Sequence, residues 1–364
     1  MTPIATGWTF DDTTICLLTP EGERIAHPSY PDDATGEQCQ AMYRDMVLAR
    51  RLDAEATALQ RQGELGMWIP SLGQEAAHVG AAHALGPADH VFPAYRQHGM
   101  VLCQGVDPLD LLRLFRGVSN SGWDGERHRI HPYTIVVGAQ ALHATGYAMG
   151  MGLDGADAAV VACFGDGASS QGDVNEALTF ASVFSAPVVF FCENNQWAIS
   201  VPVERQAQTP LYRRAAGFGF PGVRVDGNDV LACRAVVRAA LAHARSGNGP
   251  VLIEAVTYRM GPHTTSDDPS RYRDPAEVAL WRARDPIDRL AAYLREQGLA
   301  GEEFQAAVAR DADALATRVR EGVPAITDPR TEDIFQYAYA APHPLVEEER
   351  AELLTYLAGF EEGG

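Results

Sequence analysis

The stretch Ala158 to Asn195 reads AAVVACFGDGASSQGDVNEALTFASVFSAPVVFFCENN. Two short apolar runs, Ala158–Phe164 and Pro187–Cys192, enclose a segment with helical periodicity over Ser170–Phe184. Apolar runs of this length with no polar alternation predict strands buried on both faces, and a strand-helix-strand order predicts a right-handed crossover between parallel neighbours. The same alternation continues outward. Downstream, helical segments near Pro210–Gly217 and over Val230–Arg245 separate the apolar runs Val223–Val225 and Val251–Thr257. Upstream, Gln74–Phe115 reads as a helix, a short strand at His90–Phe92 and two further helices, the last entered through Pro108, and Gln140–Met151 is helical again. The predicted class is α/β, a doubly wound parallel sheet with helices on both faces.

The flanks read differently. Thr35 and Gln38 have capping-box spacing, and Met42, Met46, Ala49, Leu52, Ala56 and Leu59 recur at steps of three and four before Gly63, which predicts one long amphipathic helix. Residues 1–34, with an extended piece at Thr14–Leu18 and a turn at Pro20-Glu21-Gly22, read as an N-terminal arm. Residues 35–300 form the α/β domain and 301–364 a C-terminal helical extension, helix being expected over Ala276–Glu321 and Val346–Phe360. Val118–Pro132 is polar and aperiodic, an exposed loop or one that closes over a ligand.

Composition narrows the function. The chain has 364 residues, 46% hydrophobic and 21% charged, with a formal charge of −19, so it is an ordinary folded protein and a poor match for a phosphate backbone or an anionic membrane. Neither nucleic acid nor a membrane is an expected partner. No lysine occurs, so the basic residues are all arginine, and Schiff-base enzymes and phosphate-loop enzymes that need the lysine amine are excluded. Cys16, Cys39, Cys103, Cys163, Cys192 and Cys233 form no Cys-x-x-Cys pair and read as reduced core residues. Met1–Phe10 lacks the basic and apolar regions of a secretory signal, and the expected location is cytoplasmic. Two Gly-x-Gly-x-x-Gly matches, at Gly150 and Gly217, each follow a helix and precede a strand, the reverse of a dinucleotide site, and read as turns.

Gly165-Asp166-Gly167 is the glycine turn in the right place, at the carboxyl end of one strand and the start of the next helix, where phosphates can approach backbone N–H groups. Taken alone it is equally well a plain turn with a capping aspartate. A 26-residue spacer, 168–193, separates it from Asn194-Asn195, the length of one crossover, so adjacent strands would deliver Asp166 and Asn195 to the same crevice. A carboxylate, an amide oxygen and a backbone carbonyl, which the position of Trp197 suits, would join two diphosphate oxygens and a water in an octahedral Mg2+ shell.

Gly-Asp-Gly, this spacer and Asn-Asn resemble the signature of thiamine diphosphate enzymes. Phe-Pro-Ala-Tyr95-Arg96-Gln-His-Gly, Val137-Gly138-Ala139-Gln140, Arg205 and Tyr-Arg-Met-Gly-Pro-His263-Thr-Thr-Ser-Asp-Asp further resemble the α subunit of the E1 component of 2-oxo acid dehydrogenase complexes. The resemblance, from about Thr35 to Leu299, implies a thiamine diphosphate-binding fold and assigns Asp166, Asn195 and the Trp197 carbonyl to Mg2+. It assigns Tyr95 and Arg96 to the diphosphate, where the planar arginine fork suits phosphate oxygens. Gly165, Gly167 and Ala168 would offer backbone to the phosphates. Val137 would contact the cofactor or simply belong to the core, and His263 would face the diphosphate and the reacting carbon as a catalytic, cofactor-contacting residue. His128, His131, His143 and His243 have no such support.

The implied activity is decarboxylation of a 2-oxo acid on thiamine diphosphate and acyl transfer to the lipoyl group of an E2 acyltransferase. The implied partners are that lipoyl domain and an E1 β subunit, which supplies the activating glutamate in an α2β2 heterotetramer. The histidine loop resembles members acting on branched-chain 2-oxo acids such as 3-methyl-2-oxobutanoate, and Val-Gly-Ala-Gln resembles pyruvate members; the branched-chain acid is the expected substrate, with pyruvate the alternative. A non-catalytic scaffold subunit is a third reading, opposed by Asp166, Asn195 and His263 together. Ile135-Val136 and Ala139 depart from the potassium-binding pattern of some branched-chain members, and Val118–Pro132 lacks the Met-x-x-His pattern of many members.

Overall fold

The structure is a computed structural model that describes residues 14–119, 122–336 and 338–361. The segment Met1–Phe10, read above for a signal, lies outside the described residues. In chain order the elements are α1 (Gly36–Arg61), α2 (Glu75–Ala82), β1 (His90–Phe92), α3 (His98–Cys103), α4 (Pro108–Arg116), α5 (Gly125–His128), α6 (Ala139–Leu153) and β2 (Val160–Gly165). There follow α7 (Gly172–Val183), β3 (Val188–Asn194), β4 (Trp197–Ala198), β5 (Val201–Pro202), α8 (Arg214–Phe218), β6 (Gly222–Asp226), α9 (Val230–His243) and β7 (Val251–Val256). The chain closes with α10 (Pro275–Arg282), α11 (Pro286–Glu296), α12 (Glu302–Gly322) and α13 (Pro344–Glu361).

Five strands form one parallel sheet in the order β1-β2-β3-β7-β6. Alternate residues of each central strand point to opposite faces, and both faces are covered. Val161, Cys163, Val189, Phe191 and Ile253 pack in one core with residues of α1, α2 and α9. Val160, Ala162, Phe164, Val188 and Phe190 pack in a second core with α6, α7 and α8. The doubly wound α/β class expected from the sequence is the observed one. α1 begins at its expected cap: Thr35 accepts from the Gln38 amide and the Gln38 side chain accepts from the Thr35 amide, while the apolar stripe from Met42 to Leu59 is buried.

Several boundaries differ for identifiable reasons. The helix expected over Ser170–Phe184 starts at Gly172, because Asp166–Ser170 first winds into a tighter 3-10 turn fastened by Ser169 Oγ donating to the Asp166 carbonyl at 2.6 Å. The helical stretch after Ala276 divides at Asp285-Pro286, where Asp285 caps α11 and Pro286 has no amide to continue α10. The loop 118–132 is not wholly exposed: Trp123 and Ile130 are buried, Trp123 Nε1 donates to the Ile130 carbonyl, and Ile130 bridges to Val91 on the edge of the sheet.

The first described residues are built into the domain. Ile15 bridges in parallel to Val225 on β6, the Leu17 and Leu18 amides each donate to Asp229 at 2.6 Å, and buried Arg289 of α11 donates to the Leu18 carbonyl. At the other end, α12 lies along α1, tied by Arg320 to Glu55 and Arg44 to Asp311. Cys39, Cys163, Cys192 and Cys233 are buried, Cys16 and Cys103 partly so, and all are free thiols. Among the described residues no helix is long and apolar enough to cross a membrane.

Candidate active site

The register of β2 on β3 pairs Gly165 with Glu193, so both strands end together and their next residues enter one cleft. That cleft, about 230 Å³ in volume, lies beyond the carboxyl ends of the strands. Tyr95, Arg96, Val137, Gly165, Asp166, Gly167, Ala168, Asn195, Trp197 and His263 all line it, from segments spread over 169 residues (95 to 263). Arg205 is exposed and outside it. His128, His143 and His243 do not line it, and His131 lies elsewhere, beside β1.

Asp166 is 2% exposed, and its Oδ2 accepts from Gln206 Nε2 at 3.0 Å. Burial pushes its carboxyl up to about 6, against the stabilising donors of Gln206 and the backbone. Among the described residues it has no ion-pair partner, so a buried acid sits at the mouth of a cleft with only neutral donors. Asn195 donates through Nδ2 to Gln74 at 3.1 Å, and its Oδ1 accepts from the Trp197 amide at 3.3 Å. This short turn holds the Trp197 carbonyl beside the asparagine; that carbonyl accepts from Arg259 Nη1 at 3.1 Å.

Arg96, which lines the cleft, and Arg259 behind it are cationic. Arg96 is buried, donates to the carbonyls of Pro70 and His263, and reaches His263 Nδ1 at 3.2 Å. Arg259 is wholly buried behind it and reaches the same Nδ1 at 3.3 Å. Among the described residues neither guanidinium has a carboxylate within ion-pair distance, and Arg259 Nε has no hydrogen-bond partner. Two buried cations without an anion are costly to hold, and they fit a site completed by an anionic ligand. Because guanidinium only donates, His263 Nδ1 must accept, which assigns the ring proton to Nε2. Burial and then the Arg96 and Arg259 charges push the imidazole down to about 3, so it is neutral in this state. Asp267 accepts from the His263 amide at 2.8 Å, and the Tyr95 ring stands edge-on to the imidazole.

Sequence reasoning missed several members of this site. Glu193 is buried between His78 Nε2, 2.9 Å away, and Gln97 Nε2, 3.1 Å away, directly under the Asn194-Asn195 pair. Among the described residues, Gln74, Gln97 and Gln140 each keep one buried amide atom without a partner while lining the cleft. Glu193, Gln140 and Arg259 each stood inside a quoted motif without being singled out, whereas Gln74 and Gln206 carried no local signal. Gly167 is a glycine for space: a Cβ there would lie 2.7 Å from the Ala198 Cβ, so β4 can close over the turn only without a side chain.

The cleft thus brings a buried carboxylate, amide side chains and buried guanidiniums together at the carboxyl end of a parallel sheet. Comparison with known proteins defines the class further. A family model described as dehydrogenase E1 component matches residues 43–324, and the chain belongs to that family of 2-oxo acid dehydrogenase enzymes, whose members depend in general on thiamine diphosphate. The chain is 45% identical over 343 residues to 3-methyl-2-oxobutanoate dehydrogenase subunit alpha of Mycobacterium tuberculosis, covering 94% of each chain. It is 38% identical to 2-oxoisovalerate dehydrogenase subunit alpha of Bacillus subtilis, over 84% of this chain and 96% of the relative, and 37% identical to pyruvate dehydrogenase E1 component subunit alpha of Acholeplasma laidlawii, over 87% and 93%. An α subunit of this family works with a partner subunit inside a larger complex. The family expectation drawn from the motifs therefore stands.

Proposed function

We propose that this chain is the E1 α subunit that, with a β subunit, decarboxylates 3-methyl-2-oxobutanoate or a similar branched-chain 2-oxo acid and passes the acyl unit to a lipoyl group. The observation that carries the reading is the charge inventory at one cleft: among the described residues, neither the buried Asp166 carboxylate nor the buried Arg96 and Arg259 guanidiniums have an oppositely charged side chain within ion-pair distance. Magnesium diphosphate supplies both missing charges at once. Asp166, Asn195 and the Trp197 carbonyl would hold the Mg2+, with Arg259 yielding the carbonyl, and Arg96 with Tyr95 would hold phosphate oxygens. Gly165, Gly167 and Ala168 bring backbone close to the phosphates, and half-exposed Val137 forms apolar wall at the lip.

Bound thiamine diphosphate supplies the electron sink that makes loss of the carboxylate feasible. The chain's residues do the rest. His263, neutral and protonated on Nε2, presents a hydrogen-bond donor to the cleft, and Arg96 and Arg259 fix the ring from behind. That donor is suited to orient the substrate's carbonyl or an incoming lipoyl group. Two exposed apolar patches, Ile135-Val136-Val137 beside the cleft and Phe180 and Val183 on α7 with Phe184 just after it, are surface that a β subunit in an α2β2 assembly would cover.

The test combines the chain with its β subunit and compares turnover of 3-methyl-2-oxobutanoate and pyruvate, while calorimetry follows thiamine diphosphate with and without Mg2+. Preference for the branched acid, Mg2+-dependent cofactor binding and no turnover by the isolated chain are expected. Preference for pyruvate refutes the substrate, and absence of cofactor binding in the assembled enzyme refutes the catalytic reading in favour of a scaffold.

A further inference from the structure

At the amino end of β1, opposite the end that opens into the cleft, His90, Glu126 and His131 come together. One ring nitrogen from each histidine and one carboxylate oxygen lie within 4.8 Å of one another. We propose that these three side chains form a separate binding site for one divalent transition-metal ion of the zinc class. Its chemistry differs from that of the magnesium site: two imidazoles and one carboxylate suit a borderline cation and disfavour Mg2+ or Ca2+, which take oxygen.

Two features make this more than a polar cluster. His90 is 5% exposed, yet among the described residues its Nδ1 has no hydrogen-bond partner, and neither has the buried Nε2 of His131. Buried ring nitrogens ordinarily find a partner, so two unpaired ones in adjacent rings need an explanation. Second, the ligands are held in place before any ion arrives. His90 belongs to β1, and the Val91–Ile130 bridge with the His131 amide donating to the Val91 carbonyl at 2.8 Å puts His131 alongside it. The His131 ring stacks on Phe92 at 3.9 Å between centroids with 17° between planes.

Glu126 comes from α5, whose start is fixed by Asp124 accepting from the Glu126 amide. The Tyr147 hydroxyl of α6 stands 3.4 Å from both His90 Nε2 and Glu126 Oε1, which keeps the Glu126 carboxylate beside the His90 ring. Glu126 is exposed, which leaves an entry path and a fourth position open to water. Of the other nearby charges, Asp89 is engaged by Arg245, and exposed Arg129 is the one cation beside His90 identified among the described residues. A second cluster, Asp45, His83 and Cys103, is already satisfied by a 2.7 Å contact between His83 Nε2 and Asp45 Oδ2 and contains a thiol, which makes it distinguishable.

The experiment strips the full-length chain with a chelator and titrates it with Co2+ alone, then with Zn2+ as competitor, keeping Mg2+ in excess to occupy sites made only of oxygen. The expected result is one equivalent of Co2+ per chain with visible d–d absorption, no near-ultraviolet thiolate-to-cobalt band, and displacement by Zn2+. Glu126→Gln, at an exposed position, should weaken binding by at least ~10-fold while the metal-free melting temperature stays unchanged, and His131→Asn should weaken it further. Failure to bind Co2+, binding unchanged by Glu126→Gln and His131→Asn, or a thiolate band that disappears in Cys103→Ser each overturns the proposal. The readout is independent of turnover and of thiamine diphosphate, so it can fail while the E1 reading stands.

Discussion

Replacing Asp166 by asparagine should make the empty enzyme more stable and the loaded enzyme less so. The carboxyl is 2% exposed and is pushed from 3.8 up to about 6, chiefly by burial. The folded state therefore binds a proton more tightly than the unfolded state, and stability falls as pH rises from about 4 to about 6, remaining at its lower level above that. A displacement of about two units corresponds to about 3 kcal/mol. Asparagine keeps the volume and an acceptor for the backbone donors but loses the charge-assisted part of the Gln206 bond, so the net gain should be ~1–3 kcal/mol, a rise of ~1–4 °C in melting temperature for a chain of this size. The measurement is the melting-temperature difference between variant and wild type from pH 4 to 8, with metal and cofactor removed; it should open between pH 4 and 6 and then level. Adding Mg2+ and thiamine diphosphate should raise the wild type and leave the variant nearly unmoved, because a hard cation gains more from a carboxylate than from an amide. If Asp166→Asn melts lower than wild type at pH 7.5 without metal, or keeps wild-type Mg2+-dependent cofactor affinity, the account of this carboxylate is wrong.

The two glycines of the turn should separate cleanly in cofactor titrations. Gly165→Ala meets nothing closer than 3.9 Å and should cost under ~3-fold in affinity, whereas Gly167→Ala drives a Cβ against Ala198 at 2.7 Å, displaces the Trp197 segment and should cost at least ~10-fold, taking overpacking at about 1–3 kcal/mol. In the histidine loop, Thr264→Glu places a negative charge beside Asp267, which holds the His263 amide, and should reduce acyl transfer to a lipoyl domain by at least ~10-fold while Thr264→Ser changes it little, with a loss of a few kcal/mol from like-charge crowding as the basis; equal rates at saturating lipoyl domain would remove the loop from the mouth of the site. Beneath the cleft, Asp53 accepts from Trp68 Nε1 at 2.7 Å and from the Ser71 amide, so Asp53→Ala should leave two buried donors unpaired and lower stability by ~2–5 kcal/mol in denaturant melts, against a much smaller loss for Asp53→Asn.

The order of elements was legible in the chain because β2, β3 and β7 are buried on both faces and must be written as unbroken apolar runs, and because Gly165-Asp166-Gly167 and Asn194-Asn195 sit one crossover apart. Covalent spacing sufficed there: a helix and two short loops can return a chain to the neighbouring strand in only one hand. Arg96 and His263 were legible only through resemblance, since nothing local distinguishes an arginine after a tyrosine or a histidine in a polar loop. What decides their role is that segments 167 residues apart meet, Arg96 Nη2 on His263 Nδ1, with Arg259 adding a second cation. The same holds for Glu193 under the asparagine pair, for Leu17 and Leu18 donating to Asp229, and for His90, Glu126 and His131. Sequence by itself determined which residues would form the five strands of the parallel sheet, though not the short β4-β5 pair, and where the glycine turn after β2 would fall, as local periodicity and steric freedom are properties of neighbouring residues. Only the tertiary structure decided which buried charges lack partners, because burial and pairing are set by contacts across the fold that no window of sequence contains.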